Sequence, residues 1–245
     1  MNAFILAAGL GTRLKPLTDT MPKAMVPVAG KPLIFHLINR LKEAGVENIV
    51  VNIHHFAQQI VDYVNKNNSF GLNILFSDET DQLLETGGAI KKAVSLFPDN
   101  EPFLVHNVDV FHNLDLRSLY NKYAHAADAI LFVSDRITSR YLLFNQENRL
   151  VGWTNLKTVE VKSPFEEVRA NPAGYSRLAF SGIHIFSPGL AALMDSWPDR
   201  FSVIDFYLDA CAAKRILGVN IPDLRLLDVG KLDTITEAEE FLVNM

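Results

Sequence analysis

Hydrophobic runs and amphipathic segments alternate along the first half of the chain. Apolar runs of about five residues are typical of buried strands, and apolar residues three or four positions apart are typical of helices. The predicted strands are 3–7, 48–53, 72–76, 102–106 and 128–133, and the predicted helices between them are 33–44, 56–67, 87–97 and 115–124. Strands that alternate with helices favour a mainly parallel central sheet with helices on both faces, which is an α/β fold. Ligands then bind at the carboxyl ends of the strands.

The pattern loosens between residues 135 and 175 and then becomes regular again. This stretch is polar and rich in turn residues, and it contains two short predicted strands, at 141–145 and 150–153. We expect it to be an insertion that forms part of a substrate lid within one domain spanning residues 1–245. The elements predicted after it are strands at 178–186, 216–220 and 225–229 and helices at 188–196, 203–214 and 232–243.

Composition and charge narrow the class of protein. The chain has 245 residues, 49% of them hydrophobic, and can bury the core of one α/β domain. Its net charge of −5 gives no general attraction for nucleic acid or an anionic membrane, so we expect neither as a partner. The single cysteine, Cys211, lies in an apolar helical segment where we expect a buried thiol. We expect a cytoplasmic protein, and the sequence has no signal for its oligomeric state.

The loop after the first predicted strand is suited to phosphate. Glycine allows positive φ and close backbone approach, so successive amides can face an anion. The guanidinium of Arg13 matches phosphate oxygens, and Lys23, held after a proline, adds a compact positive charge. We therefore predict a phosphate-binding loop formed by Leu6, Ala8, Gly9, Gly11, Thr12 and Arg13.

A second glycine-containing segment runs from Glu85 through Thr86 to Gly87 and Gly88. Paired glycines would let the backbone approach a flat ligand, and the helix that starts here would present free N-terminal amides. We predict that Glu85, Gly87 and Gly88 contact a nucleobase. The alternative is an ordinary glycine-rich helix start with Thr86 as its cap.

Two acidic positions are candidates for a metal site. Asp109 follows a buried strand and Asn107, and a carboxylate is costly there unless a cation meets it. Asp228 is the second acidic position, at the end of a later strand. Hard oxygen ligands of this kind are what magnesium prefers, so Asp109 is the leading candidate for a Mg²⁺ ligand. The alternative for an aspartate after a strand is a turn or cap residue.

Taken together, these segments resemble the signature of the sugar-1-phosphate nucleotidyltransferases. The resemblance implies a Rossmann-like, GT-A-like fold and a magnesium-dependent transfer from a nucleoside triphosphate to a sugar 1-phosphate, with pyrophosphate as the second product. It also implies that Arg13, Lys23 and Asp109 are catalytic, that Asn107 and the phosphate-binding loop bind the nucleotide, and that Asp109 and Asp228 bind Mg²⁺. The short chain and its Glu-Thr-Gly-Gly run look most like the uridylyltransferases that act on N-acetylmuramate 1-phosphate.

The acceptor pocket is also implied by the resemblance. The segment 180–186 looks like the strand that lines the sugar pocket in the family, which makes Gly182 and His184 sugar-binding candidates. Arg140 falls near the place where many relatives carry a glycine that touches the sugar. The alternative for His184 is a structural histidine within a sheet.

The chain departs from the family pattern at two positions, and its function has two alternatives. Val108 stands where relatives commonly have glycine, and Lys162 is only a partial match to a Glu-Lys-Pro element. The first alternative is GTP with mannose 1-phosphate or another hexose 1-phosphate. The second is a non-catalytic nucleotide-sugar sensor or regulatory subunit. Retention of all the expected charged residues argues against this sensor.

Overall fold

The computed structural model describes residues 1–244 as fourteen strands and eight α-helices. The strands are β1 (Asn2–Leu6), β2 (Pro27–Val28), β3 (Lys31–Pro32), β4 (Asn48–Ile53), β5 (Asn73–Asp78), β6 (Phe103–Asn107), β7 (Val110–His112), β8 (Ala129–Ser134), β9 (Arg140–Phe144), β10 (Leu150–Asn155), β11 (Glu160–Lys162), β12 (Ser176–Phe186), β13 (Ile216–Asn220) and β14 (Leu226–Asp228). The helices are α1 (Leu33–Glu43), α2 (Ala57–Lys66), α3 (Glu85–Ala93), α4 (Leu116–Tyr123), α5 (Glu166–Ala170), α6 (Ala191–Met194), α7 (Val203–Ala210) and α8 (Asp233–Val243). None of these helices has the length and apolarity needed to cross a bilayer.

Ten of the strands form one mixed sheet. Along most of it the order is β11-β10-β9-β12-β6-β1-β4-β5, and β8 and β13 branch from β12. Strands β6, β1, β4 and β5 are parallel to one another, whereas β12 is antiparallel to β6, β8 and β9. The predicted α/β class is confirmed, and the parallel part of the sheet is the part where strands alternate with helices in the sequence.

The sheet separates two hydrophobic layers. On β1, Ala3 and Ile5 face the layer that contains α1, α2 and α8, while Phe4 faces the layer that contains α3 and α7. This alternation follows from the two-residue period of a strand. Because both faces are covered, the central strands are apolar throughout, which is why the sequence shows them as continuous hydrophobic runs.

The insertion at 135–175 continues the main sheet. Its two predicted strands are found as β9 and β10, and they are joined by β11 and the short helix α5, which the sequence pattern did not predict. Strand β9 pairs with the first residues of β12, so the insertion is anchored to the central strands. Its function as a substrate lid stays a prediction.

The thiol of Cys211 lies buried just after α7, as predicted. Burial raises its pKa to about 11, so the thiol is protonated at neutral pH.

Three buried histidines lie on β6, β7 and β12. They are His106, His112 and His184, none more than 1% exposed. The rings of His106 and His112 are 5.0 Å apart. Burial lowers the pKa of His106 to about 4, of His112 to about 2 and of His184 to about 3. All three imidazoles are therefore neutral in the folded protein at pH 7.

These lowered pKa values predict acid sensitivity. Below about pH 6.5 the unfolded chain binds a proton at each histidine that the folded chain does not bind, so the free energy of unfolding falls as the pH falls. The loss is about 1.4 kcal/mol per pH unit for each histidine, down to its folded-state pKa. Urea unfolding at pH 7, 6 and 5 measures it, and we expect His184→Leu to flatten the slope by one histidine's share. An unchanged slope in this variant would contradict the assignment of a neutral His184.

Candidate active site

A cavity of about 250 Å³ opens at the carboxyl ends of β1, β4 and β6. Its position is the one expected for a ligand site in an open α/β sheet. Seven of the predicted site residues line it: Leu6, Ala8, Gly9, Lys23, Glu85, Asn107 and Asp109. We call it the nucleotide cavity.

The loop after β1 has the backbone form expected of a phosphate cradle. Gly11 has a φ of +63°, and its carbonyl accepts a hydrogen bond of 2.9 Å from the Thr18 hydroxyl. The amides of Gly9, Leu10 and Gly11 donate to no acceptor in the described part of the chain. Thr12 and Arg13 are exposed at the start of a short 3₁₀ helix. The hydrogen bond from Thr18 thus fixes the loop, while the loop's amides stay available to an anion.

An ion pair lies at the rim of the nucleotide cavity. The Lys23 ammonium donates to Oδ2 of Asp109, and their side chains are only 12% and 15% exposed. Lys23 begins a 3₁₀ helix directly after Pro22, while Asp109 follows β6. Two segments that are 86 residues apart in the sequence therefore meet at the site.

Asp228 joins this pair through a separate two-stranded ribbon. β14 pairs antiparallel with β7, which sets Asp228 opposite Val110, and the Val229 amide donates to the Asp109 carbonyl at 2.8 Å. Desolvation and the nearby Asp109 carboxylate raise the pKa of Asp228, more than Lys23 and Arg13 lower it. The two carboxylates are thus held close together with incomplete charge compensation.

Arg13 reaches the same cluster. A Cβ on Gly230 would lie 2.9 Å from both Arg13 Nη2 and Asp228 Oδ1, so the two charged groups flank this glycine. No group of three or more His, Cys, Asp or Glu side chains suited to a metal ion occurs within residues 1–244. Two carboxylates and two cations are therefore grouped here. We call these four residues, Arg13, Lys23, Asp109 and Asp228, the charged cluster.

Gly87 and Gly88 were predicted to contact a nucleobase, but in the structure they serve helix packing. Both amides donate to the Phe201 carbonyl, at 2.8 and 3.3 Å, so they are not free for a ligand. A Cβ on Gly87 would lie 2.3 Å from the Phe201 ring, and one on Gly88 would lie 1.9 Å from the Asp199 carbonyl. The paired glycines permit close packing of α3 on the segment before α7, and of this motif Glu85 and Thr86 line the cavity.

A buried hydrogen-bonded chain links the phosphate loop to the Glu85 loop. Asn52 Oδ1 accepts from the amides of Ala7 and Ala8, at 2.6 and 3.1 Å. Asn52 Nδ2 donates to Glu79 at 2.8 Å, and the other Glu79 carboxylate oxygen accepts from the Leu84 amide at 3.0 Å. Desolvation raises the pKa of Glu79, although these hydrogen bonds lower it in part.

The sequence analysis missed Asn52 and Glu79. One signal was available for each: Asn52 interrupts the apolar run of β4, and Glu79 directly follows β5. A buried polar side chain among apolar neighbours needs partners, and here the partners are the backbones of the two ligand-binding loops.

We predict that Glu79→Gln loosens both loops. Gln offers one acceptor oxygen instead of two, so either Asn52 or the Leu84 amide loses its partner, at a cost of about 1–3 kcal/mol in the free energy of unfolding. Urea unfolding measures this loss, and we expect a weaker affinity for nucleotide in calorimetry. Asp81→Asn, on the same loop but exposed, is the control. Equal stability and affinity in the two variants would show that the link has no such role.

A second cleft, of about 360 Å³, lies between β9, β10, β12 and α7. Arg140, predicted to bind the sugar, lines it. Gly182 lies nearby on β12 with a φ of +80°, and a Cβ there would be 2.6 Å from Asn107 Nδ2. Gly182 thus lets β12 pack on a residue that lines the nucleotide cavity. We call this second cavity the acceptor cleft, after the sugar contact predicted for Arg140.

His184 does not reach either cavity. Its side chain lies inside the core, with ring centroids 5.6 Å from both Phe180 and Tyr207. This placement does not agree with the sugar contact predicted for it and agrees with the structural alternative. Neither of its ring nitrogens has a hydrogen-bond partner among the described residues.

Comparison with known proteins gives consistent matches over the whole chain. The profile of the family described as nucleotidyl transferase matches residues 2–244. An N-acetylmuramate alpha-1-phosphate uridylyltransferase of Caulobacter vibrioides is 36% identical over 89% of this chain and 87% of its own length. A mannose-1-phosphate guanyltransferase 2 of Candida glabrata is 33% identical over 84% of this chain and 55% of its own length. The crystal structure of HddC from Yersinia pseudotuberculosis complexed with GMP-PN has a TM-score of 0.75 and 26% identity, covering 98% of this chain and 99% of that one.

Proposed function

The chain belongs to the nucleotidyl transferase family, and from that membership we propose that it transfers a uridylyl group from UTP to N-acetylmuramate 1-phosphate. The observation that carries the proposal is the charged cluster at the rim of the nucleotide cavity. Both phosphorylated substrates are polyanions, and such a cluster is suited to hold them side by side. The similarity to the Caulobacter vibrioides uridylyltransferase supports the choice of substrates.

In the proposed reaction an oxygen of the sugar 1-phosphate attacks the α-phosphorus of UTP. A P–O bond forms there, the bond to the β-phosphate bridging oxygen breaks, and pyrophosphate leaves with the electron pair. The attacking phosphate is already anionic, so no general base is required and catalysis consists of positioning and charge stabilisation.

The chain's own residues supply this positioning. Arg13 holds the leaving β- and γ-phosphates, and the unpaired amides of Gly9, Leu10 and Gly11 face the triphosphate. Lys23 contacts the transferred phosphate and its attacker. Because Lys23 is already ordered by Asp109, it does not have to be reoriented in the transition state.

The residues present fit a divalent cation such as Mg²⁺. This ion binds through one or two carboxylates and completes its octahedron with phosphate oxygens and water. Asp109 and Asp228 supply two hard oxygen ligands, and the pKa of Asp228 is raised first by burial and then by the Asp109 carboxylate, both of which a cation would offset. When bound, the ion neutralises phosphate charge as the new bond forms.

A second substrate pair has support of its own. The Candida glabrata relative is a mannose-1-phosphate guanyltransferase, and HddC is complexed with GMP-PN. GTP with mannose 1-phosphate is therefore the competing proposal within the same reaction class. The rival from another class is a non-catalytic sensor, and the retention of the whole charged cluster argues against it.

Pyrophosphate release tests the reaction and its substrates together. UTP, GTP, dTTP, CTP and ATP are each paired with the 1-phosphates of N-acetylmuramate, mannose, glucose and N-acetylglucosamine, in the presence of Mg²⁺. We expect release with UTP and N-acetylmuramate 1-phosphate. Release only with GTP and mannose 1-phosphate would favour the competing pair, and no release from folded protein with any pair would contradict the enzyme proposal.

We predict that Asp109→Asn abolishes most of this activity. The variant loses a cation ligand and the partner of Lys23, and removal of one such electrostatic contact typically costs about 10²–10³-fold in kcat. The melting temperature checks that the fold is retained. Asp209→Asn, at an exposed position of α7, is the matched control. Full activity in the Asp109 variant would contradict the role of this carboxylate.

A further inference from the structure

The acceptor cleft has one apolar side and one basic side. Tyr141, Trp153, Phe180 and Leu208 form much of the apolar side. Aromatic faces of this kind pack against the C–H faces of ligands. The charged residues of the cleft are Arg136, Arg140, Lys162 and Asp205.

The charges in the cleft do not cancel. Lys162 Nζ donates to Asp205 Oδ1 at 3.0 Å and lies over the Trp153 ring, so this lysine is already paired. Arg136 donates to the Phe180 carbonyl at 3.0 Å, which is a neutral acceptor. Arg140 takes part in no ion pair within residues 1–244. Two guanidinium charges therefore remain without a counter-charge, in a protein whose net charge is −5.

The cleft adjoins the reaction site. Phe180, in the cleft, and Gly182, which packs on Asn107, are two residues apart on β12. Asn107 lines the nucleotide cavity. A sugar whose phosphate is at the charged cluster would therefore extend its ring and substituents into the cleft.

We propose that the acceptor cleft selects a sugar 1-phosphate that carries a carboxylate, and that Arg136 and Arg140 bind this second anion. The inference rests on the proposed function and deepens it, because it names the class of acceptor. Guanidinium groups match carboxylates with paired, charge-assisted hydrogen bonds. A neutral hexose would leave both charges uncompensated, whereas the lactyl carboxylate of N-acetylmuramate supplies the missing negative charge.

The test compares two acceptors that differ only in charge. They are N-acetylmuramate 1-phosphate and its derivative in which the lactyl carboxylate is converted to the amide. With UTP and Mg²⁺ we expect the protein to prefer the acid by about 10- to 100-fold in kcat/KM, the range for a hydrogen bond between charged groups. Equal kcat/KM for the two acceptors, or a preference for the amide, would overturn the proposal.

Variants identify the residues responsible. We expect Arg140→Gln to lower the acid-to-amide ratio of kcat/KM by about tenfold and the double variant with Arg136→Gln to bring it close to one. Both arginines are exposed, so these changes remove no buried packing. Arg215→Gln, at an exposed position outside the cleft, is the control and should keep the ratio. An unchanged ratio in the double variant would also overturn the proposal.

A binding measurement separates this proposal from the proposed function. The chain has two tryptophans, and Trp197→Phe leaves Trp153, in the cleft, as the single fluorescent reporter. N-acetylmuramate without its phosphate should change this fluorescence and its amide should do so at least about tenfold more weakly. If sugar 1-phosphates without a carboxylate react and the acid has no advantage over them, the inference fails but the proposed reaction is retained. If nothing reacts, the proposed function fails, and equal titration by acid and amide would then overturn the inference as well.

Discussion

The site depends on keeping two carboxylates and two cations together at one end of the sheet. Two like charges about 4 Å apart repel by about 1 kcal/mol in water and by more where water is excluded. The ion pair between Lys23 and Asp109 offsets part of this repulsion. Asp228 is held on the separate β7–β14 ribbon, whose backbone hydrogen bonds fix its position relative to Asp109. The charge that remains is the feature that suits the cluster to phosphates accompanied by a cation.

The rest of the fold positions this cluster and forms two separate cavities beside it. The parallel strands β1, β4 and β6 bring the phosphate loop, Asn52 and Asp109 to the same edge, as parallel strands do. The Asn52–Glu79 link then fixes the Glu85 loop relative to the phosphate loop. The antiparallel strands around β12 form a second cavity beside the first. The nucleotide side is thus built on the parallel half of the sheet and the acceptor side on the antiparallel half.

The sequence predicted the parallel half well because its strands are buried on both faces and read as continuous apolar runs. Gly9 of the predicted phosphate loop, Lys23 and Asp109 line one cavity, and each follows a strand or a proline in a recognisable motif; their roles stay predictions. The strand β11 and the packing role of Gly87 and Gly88 were not predicted, and for His184 the structure agrees with the structural alternative. The two glycines pack against Phe201, which is distant in the sequence, and local pattern has no information about such a partner.

The role of the two carboxylates is tested most directly by the dependence of UTP binding on a divalent cation. Calorimetric titrations of the protein with UTP and with uridine are carried out in Mg²⁺ and again in EDTA. If Asp109 and Asp228 hold a cation between themselves and the triphosphate, removal of Mg²⁺ weakens UTP binding by at least about tenfold, because carboxylates and phosphates then repel one another. Binding of uridine, which has no phosphates, stays the same. Equal affinity for UTP in Mg²⁺ and in EDTA would contradict the account.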